Sequence, residues 1–155
     1  AFNDLMTLDH GLRGEVDRQT ALTALYRNKE MLTGFIGGKC RKCGTLQFPK
    51  SKICVNPNCG EFHSQDDHPF ADMPATVQSW TADNLTYSVE PPQHFGMVVF
   101  QEGGRLMSDL TDVDVGGVEV GMPMRMMFRV KEVDGQRGFT RYFWKAAPDF
   151  TKDNG

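Results

Sequence analysis

Cys40-Arg41-Lys42-Cys43-Gly44 and, after the ten residues 44–53, Cys54-Val55-Asn56-Pro57-Asn58-Cys59-Gly60 are the stretches whose reading decides the fold. They hold all four cysteines of the 155 residues. Two cysteines with two residues between them can turn back and offer both sulfurs to one ion, and Zn2+ takes four such ligands in a tetrahedron. The glycine after each pair supplies the positive φ that the turn requires. The spacer 44–53 can form a short hairpin that brings the second pair alongside the first. That pair is looser, but Asn and Pro are turn formers and keep a longer knuckle workable. Cys40, Cys43, Cys54 and Cys59 are therefore the expected ligands of one structural zinc, in a closed site with no open coordination position.

Two other uses of four cysteines are disfavoured. Disulfides need an oxidising compartment, and the sequence does not open with a basic stretch and an apolar run, so a cytoplasmic chain is expected. A redox C-x-x-C needs one pair opening a helix in a βαβ unit, whereas here there are two pairs with Pro49 and Pro57 around them. The formal net charge of −3 does not point to nucleic acid as a bulk partner. No run of about eighteen apolar residues predicts a membrane span.

Outward from the cysteines, residues 16–33 carry Val16, Leu22, Leu25, Tyr26 and Leu32 at near-helical spacing, and Gly34 is a stop. The polar connector 64–69 marks a boundary. Beyond Pro74 the pattern turns to strands: 75–81, 97–100, 105–110 after Gly103-Gly104, a segment 118–120 leading through Gly121 and Pro123 into a Met-rich strand to Val133, and 139–145. Met124, Met126, Phe128 and Val130 alternate with Arg125, Met127 and Arg129, which predicts a core-facing strand. Five or six short strands fit a small barrel or sandwich. The five-stranded OB-fold fits the count without being singled out by it.

The ordered set of local patterns resembles the zinc-ribbon plus OB-fold accessory proteins associated with thiolase-superfamily enzymes. Gly38-Lys39-Cys40-Arg41-Lys42-Cys43-Gly44 resembles that family's first knuckle, and Phe48-Pro49 followed by Cys54 its approach to the second. Val120-Gly121-Met122-Pro123-Met124 resembles its strand entry, and Arg141-Tyr142-Phe143-Trp144 its aromatic final strand. The likeness runs from about Tyr26 to Pro148. One departure is the C-x4-C of the second knuckle, where the family has C-x2-C.

The resemblance implies a mainly β chain with an N-terminal helical arm over 1–36, a rubredoxin-like zinc ribbon over 37–63, a small OB-fold barrel over 70–148 and a tail over 149–155. It implies an accessory subunit in a hetero-oligomer, whose thiolase-superfamily partner carries the catalysis. In such a complex the small chain helps build or shape an acyl-CoA site for breaking or making a C–C bond next to a thioester. A benzoylsuccinyl-CoA thiolase subunit and a steroid side-chain aldolase subunit both fit. A CoA thioester is then a ligand of the complex, with this chain an obligatory, non-catalytic part of it.

The residues themselves agree on the absence of catalytic machinery. A thiolase needs a cysteine nucleophile with acid and base groups, and zinc claims every cysteine here. His10, His63, His68 and His94 lie in no catalytic motif; His63 and His68 flank the connector, and His94 falls in the loop reading of 91–96. Asp66-Asp67 and Asp109 with Asp112 read as connector and turn chemistry. Lys39, Arg41, Lys42, Lys50 and Lys52 cluster on the ribbon, where they offset a tetrathiolate zinc of about −2 or attract an anion; Lys39, Arg41 and Lys42 are the candidates for touching CoA. On the last strand one face can fill the barrel, and the other is expected to present Tyr142 and Trp144 as anchors for a protein partner. The same features, basic ribbon and stacking aromatics, carry an alternative reading as a single-stranded nucleic-acid module, which the acidic charge disfavours. A zinc-dependent enzyme would require an open ligand position.

Overall fold

A computed structural model describes residues 22–152, apart from 89, 136 and 137. Two helical turns, α1 (Leu22–Arg27) and α2 (Lys29–Leu32), are interrupted at Asn28. Positions 16–21 of the expected helix, and the rest of the arm before them, lie outside the described residues. Gly34 ends the helix as expected. A Cβ there would stand 2.8 Å from the Glu30 carbonyl oxygen. Phe35 follows in the left-handed region (φ 53°), rare for a bulky residue, and it turns the chain into the first strand.

β1 (Ile36–Cys40) pairs antiparallel with β2 (Leu46–Gln47) on one side and β3 (Gln65–Pro69) on the other. The first knuckle is itself the turn of the β1–β2 hairpin. A second, wider closure is the bridge between Ile53 and Phe62, which encloses the second knuckle. The spacer 44–53 thus forms no hairpin of its own, because each cysteine pair already supplies a reversal. The polar stretch 64–69, expected as a connector, is strand β3. Its backbone satisfies β1, while Asp66 and Asp67 remain exposed.

The second sheet has the order β6-β5-β4-β7-β8, with β4 (Ala75–Asp83), β5 (Gln93–Phe100), β6 (Arg105–Asp109), β7 (Pro123–Asp134) and β8 (Phe139–Pro148). Neighbouring strands are antiparallel. Its two edges approach through a parallel bridge between Leu110 and Ala146, where the Thr111 N–H donates to the Ala146 carbonyl at 2.8 Å. This is the connectivity of a partly open OB barrel. Segment 118–120 is no strand; Val118 is buried there as a plug from a loop. A short 3-10 turn (Phe150–Lys152) ends the described chain.

Alternation fills the interior. Ala75 and Val77 of β4, Val98 and Phe100 of β5, Met124 and Met126 of β7 and Ala146 of β8 are all buried. The Met-rich strand is core-facing, as its pattern predicts, but only in its first half. Phe128 and Val130 carry the same face beyond the barrel and are exposed. His94, expected in a loop, lies on β5 and is buried with the inward set. The strand begins earlier than its apolar run because Gln93, His94 and Gly96 are not hydrophobic.

Ribbon and barrel share one core. Phe35, Leu46 and Phe70 belong to the same buried cluster as Val98, Phe100 and Met124. Phe35 is its hub, with ring centroids 4.6 Å from Phe48, 5.8 Å from Phe100 and 5.0 Å from Trp144. Such tilted and edge-on pairs stabilise beyond the area they bury.

At the β-bulge of β4 the partner strand comes very close to Gly96. A Cβ on Gly96 would meet the Ser79 carbonyl oxygen at 2.1 Å and the Trp80 Cα at 2.8 Å. Backbone atoms cannot swing aside as a side chain can. Gly96→Ala is expected to destabilise the chain by about 3 kcal/mol, read from urea unfolding. An unchanged midpoint would contradict this close approach.

Candidate functional site

The two reversals bring Cys40, Cys43, Cys54 and Cys59 together. Their sulfurs all lie within 4.8 Å of one another, with Cys43 to Cys54 at 3.5 Å and Cys40 to Cys59 at 3.9 Å. A tetrahedron of sulfurs around zinc has edges of about 3.8 Å, given Zn–S bonds of about 2.3 Å. The donor set therefore fits a metal ion of that kind. Among the described residues no other cluster of His, Cys, Asp or Glu is so placed.

The second knuckle explains its own spacing. In the first, the Gly44 N–H donates to the Cys40 carbonyl four residues back, at 2.9 Å, with Gly44 at φ 74°. In the second, the Gly60 N–H donates to the Asn56 carbonyl at 3.0 Å, with Gly60 at φ 55°. Asn56 thus holds the backbone place that Cys40 holds in the first turn. Its side-chain oxygen accepts from the Asn58 N–H at 3.0 Å, an Asx turn. Cys54 reaches the cluster from two residues earlier, on a strand-like approach where its N–H bonds the Glu61 carbonyl at 2.9 Å. The longer spacing is a cysteine displaced from a normal turn.

The sulfurs are polarised unequally. The Ser64 hydroxyl, 3.2 Å from Cys40, and the N–H groups of Cys43 and Lys42 pull the Cys40 thiol down to about 6. The Thr45 hydroxyl and N–H lower Cys43. The Asn56 N–H pulls Cys54 downward, but burial and hydrogen bonds among the sulfurs outweigh it and push Cys54 up to about 12. Cys59 is raised too, against the pull of the Glu61 N–H. Four sulfurs cannot all carry charge side by side without a cation, and the cluster sets the lowered Cys40 and Cys43 against the raised Cys54 and Cys59.

The basic residues around the ribbon are less free than their sequence suggests. Arg41 pairs with Asp66 at 2.9 Å, Lys42 with Glu61 and Lys50 with Asp67. The Glu61 carboxylate raises the Lys42 pKa. The partners come from β3 and from the end of the second knuckle, more than ten residues away, so the sequence run looks unopposed when the surface is not. Lys39 is exposed on β1, beside Asp66 in the ladder. The opposition covers Arg41, Lys42 and Lys50 and leaves Lys52 without a carboxylate partner among the described residues.

A second site lies where ribbon, helix and barrel meet. α2, Phe48-Pro49, β6 and β8 border an apolar cleft of about 530 Å3, which Lys131 and Arg141 also line. Tyr142 and Trp144 both line it. They do not form an outer face of β8, as expected, but share the inward face with buried Ala146. Trp144 is half-buried against Phe35 and Phe128, both at 5.0 Å. Its indole N–H is buried without a partner among the described residues. Tyr142 lies beyond the barrel mouth, 42% exposed, stacked on Phe128 at 4.9 Å. Phe143, between them, also borders the cleft and is covered by the Lys145 ammonium at 5.0 Å. The sequence gives no signal for Leu106 or Met107 on this cleft; Phe48 and Pro49 stood only in a family pattern.

Comparison with known proteins places this architecture. The family model described as ChsH2, rubredoxin-like zinc ribbon domain, matches residues 34–63, and that described as ChsH2, C-terminal OB-fold domain, matches residues 68–129. A DUF35 domain-containing scaffold protein of Pyrococcus furiosus is 32% identical over 127 residues, spanning 79% of this chain and 87% of that protein. One of Methanothermobacter thermautotrophicus is 28% identical over 132 residues, spanning 83% and 97%. A solved structure named Ltp2-ChsH2(DUF35) aldolase contains a chain of like fold, with a TM-score of 0.59 at 22% identity over 84% of this chain and 95% of that one. With a ribbon and a barrel each matched in order, and a relative this similar over most of its length, the chain belongs to the DUF35 family of ChsH2-like zinc-ribbon and OB-fold proteins.

Proposed function

We propose that this protein is a non-catalytic accessory subunit. In this reading Cys40, Cys43, Cys54 and Cys59 bind one structural zinc, and the apolar cleft with Tyr142 and Trp144 seats a thiolase-superfamily catalytic subunit. The observation that carries it is the gathering of every cysteine into one cluster, which leaves no thiol to serve as a nucleophile. The relatives' names, scaffold proteins and part of an aldolase assembly, support an assembling role. The reaction served is C–C bond cleavage next to a thioester, and the complex takes a bulky or aromatic acyl-CoA such as benzoylsuccinyl-CoA. This chain contributes shape to the acyl-CoA site, and Lys39, Arg41 and Lys42 remain its nominated CoA contacts, with Arg41 and Lys42 needing to leave exposed ion pairs that are each worth little.

Four measurements test the reading. At pH 7 Cys54 and Cys59 still hold protons, so zinc uptake must release at least those two per ion, and apparent affinity must rise with pH. A cobalt-substituted chain is expected to show the charge-transfer spectrum of four thiolates. Three thiolates with a water ligand would instead favour a zinc-dependent enzyme. Tyr142→Ala, at an exposed side chain, is expected to leave the fold intact while weakening capture of the catalytic subunit about thirtyfold, roughly the 2 kcal/mol of an interface anchor. Purification from the native source should give the chain together with a thiolase-like protein; a chain that elutes alone at every salt concentration sinks the proposal.

A further inference from the structure

A smaller cleft of about 380 Å3 opens on the ribbon, lined by Lys50, Ser51, Lys52, His63 and Gln65. Gln65 is the anomaly. It is 8% exposed, and neither its Nε2 nor its Oε1 has a hydrogen-bond partner among the described residues. A primary amide buried in this way forfeits hydrogen bonds that water would give it, a penalty native folds avoid unless something else meets it.

The surroundings are built to hold that amide in place. A Cβ on Gly38 would stand 2.7 Å from Gln65 Oε1 and 3.2 Å from Lys50 Cγ. The lysine stem and the amide therefore pack side by side over a bare glycine. Ser51 forms part of the lining with its hydroxyl already committed, donating to the Ile53 carbonyl at 2.7 Å and accepting from Gln47 Nε2 at 2.8 Å. The donors left for a ligand are the two lysines, the His63 ring and the Gln65 amide. Lys50 is held only by an exposed ion pair with Asp67, and Lys52 has no carboxylate partner among the described residues.

We infer that this cleft binds a phosphate group. Two ammonium groups two residues apart offset a charge near −2, and several donors suit an anion with three oxygens. The Gln65 Nε2 donates to one of these oxygens, and its carbonyl end accepts from a lysine ammonium. Lys50 leaves Asp67 to join them, which uncovers the amide. Arg41 and Lys42 lie outside the lining, their charges paired with Asp66 and Glu61, although the Arg41 guanidinium also donates to the His63 carbonyl at 2.8 Å. It does not depend on the docking reading, since the chain alone carries all of its groups.

The test uses the full zinc-loaded chain with inorganic phosphate, pyrophosphate and adenosine 3′,5′-bisphosphate at low ionic strength, followed by amide NMR. The expected result is saturable shifts confined to 50–53, His63 and the Gln65 side-chain NH2. Tighter binding of the bisphosphate identifies the phosphate as the end of a larger ligand; equal binding identifies free phosphate. Lys52→Gln, at a solvent-exposed position, is expected to weaken binding about tenfold, the loss of one charge-assisted hydrogen bond. Gln65→Met should weaken it similarly while raising the melting temperature, because it removes an unsatisfied buried amide. Shifts that sodium chloride reproduces at equal ionic strength, shifts centred on Lys39 and Lys42, or a Gln65→Met chain that binds as tightly as before would each overturn the site.

Discussion

Four sulfur atoms within 4.8 Å of one another are the constraint on which this molecule is organised. Such a cluster cannot ionise fully unless a cation sits among the thiolates, and its backbone must reverse twice within twenty-odd residues. The reversals fix where β1, β2 and the bridge of Ile53 with Phe62 lie. They also fix which amides face the sulfurs. The ribbon is too small to bury much apolar surface, so its order depends on metal coordination and on whatever it leans against.

It leans against the barrel through aromatic rings. Phe35 sits between the helix stop and β1 in a backbone conformation that few residues of its size adopt, and the surrounding structure holds it there. Its contacts with Phe48, Phe70, Phe100 and Trp144 make one interior out of two units. The same rings continue outward. The inward face of β7 and β8 runs from Met124 and Ala146, wholly buried, through Trp144 to Phe128, Tyr142 and Val130 at the surface. The core therefore does not end at the barrel rim but opens into the apolar cleft.

The cysteine spacing, the strand alternation and the turn glycines made the architecture legible because each is a local signal. Gly44 and Gly60 take the positive φ assigned to them, and Met124 and Met126 point inward as their period requires. What stayed hidden was set by neighbours distant in sequence. Arg41, Lys42 and Lys50 look unopposed along the chain, yet Asp66, Glu61 and Asp67 arrive beside them through strand pairing. Tyr142 and Trp144 were recognisable as a pair, but which face of β8 they occupy depended on register with β7. A polar stretch became β3 because β1 had an open edge, which no residue within 64–69 announces. His94 looked like a loop residue because burial of a lone polar ring leaves no periodic trace.

Phe48 and Pro49 hang from the ribbon yet form a wall of the cleft that β6 and β8 complete. In the proposed reading, the wall that these two residues form is carried by the same short segment that joins the two cysteine turns, so ordering the cluster also shapes the seat offered to another subunit.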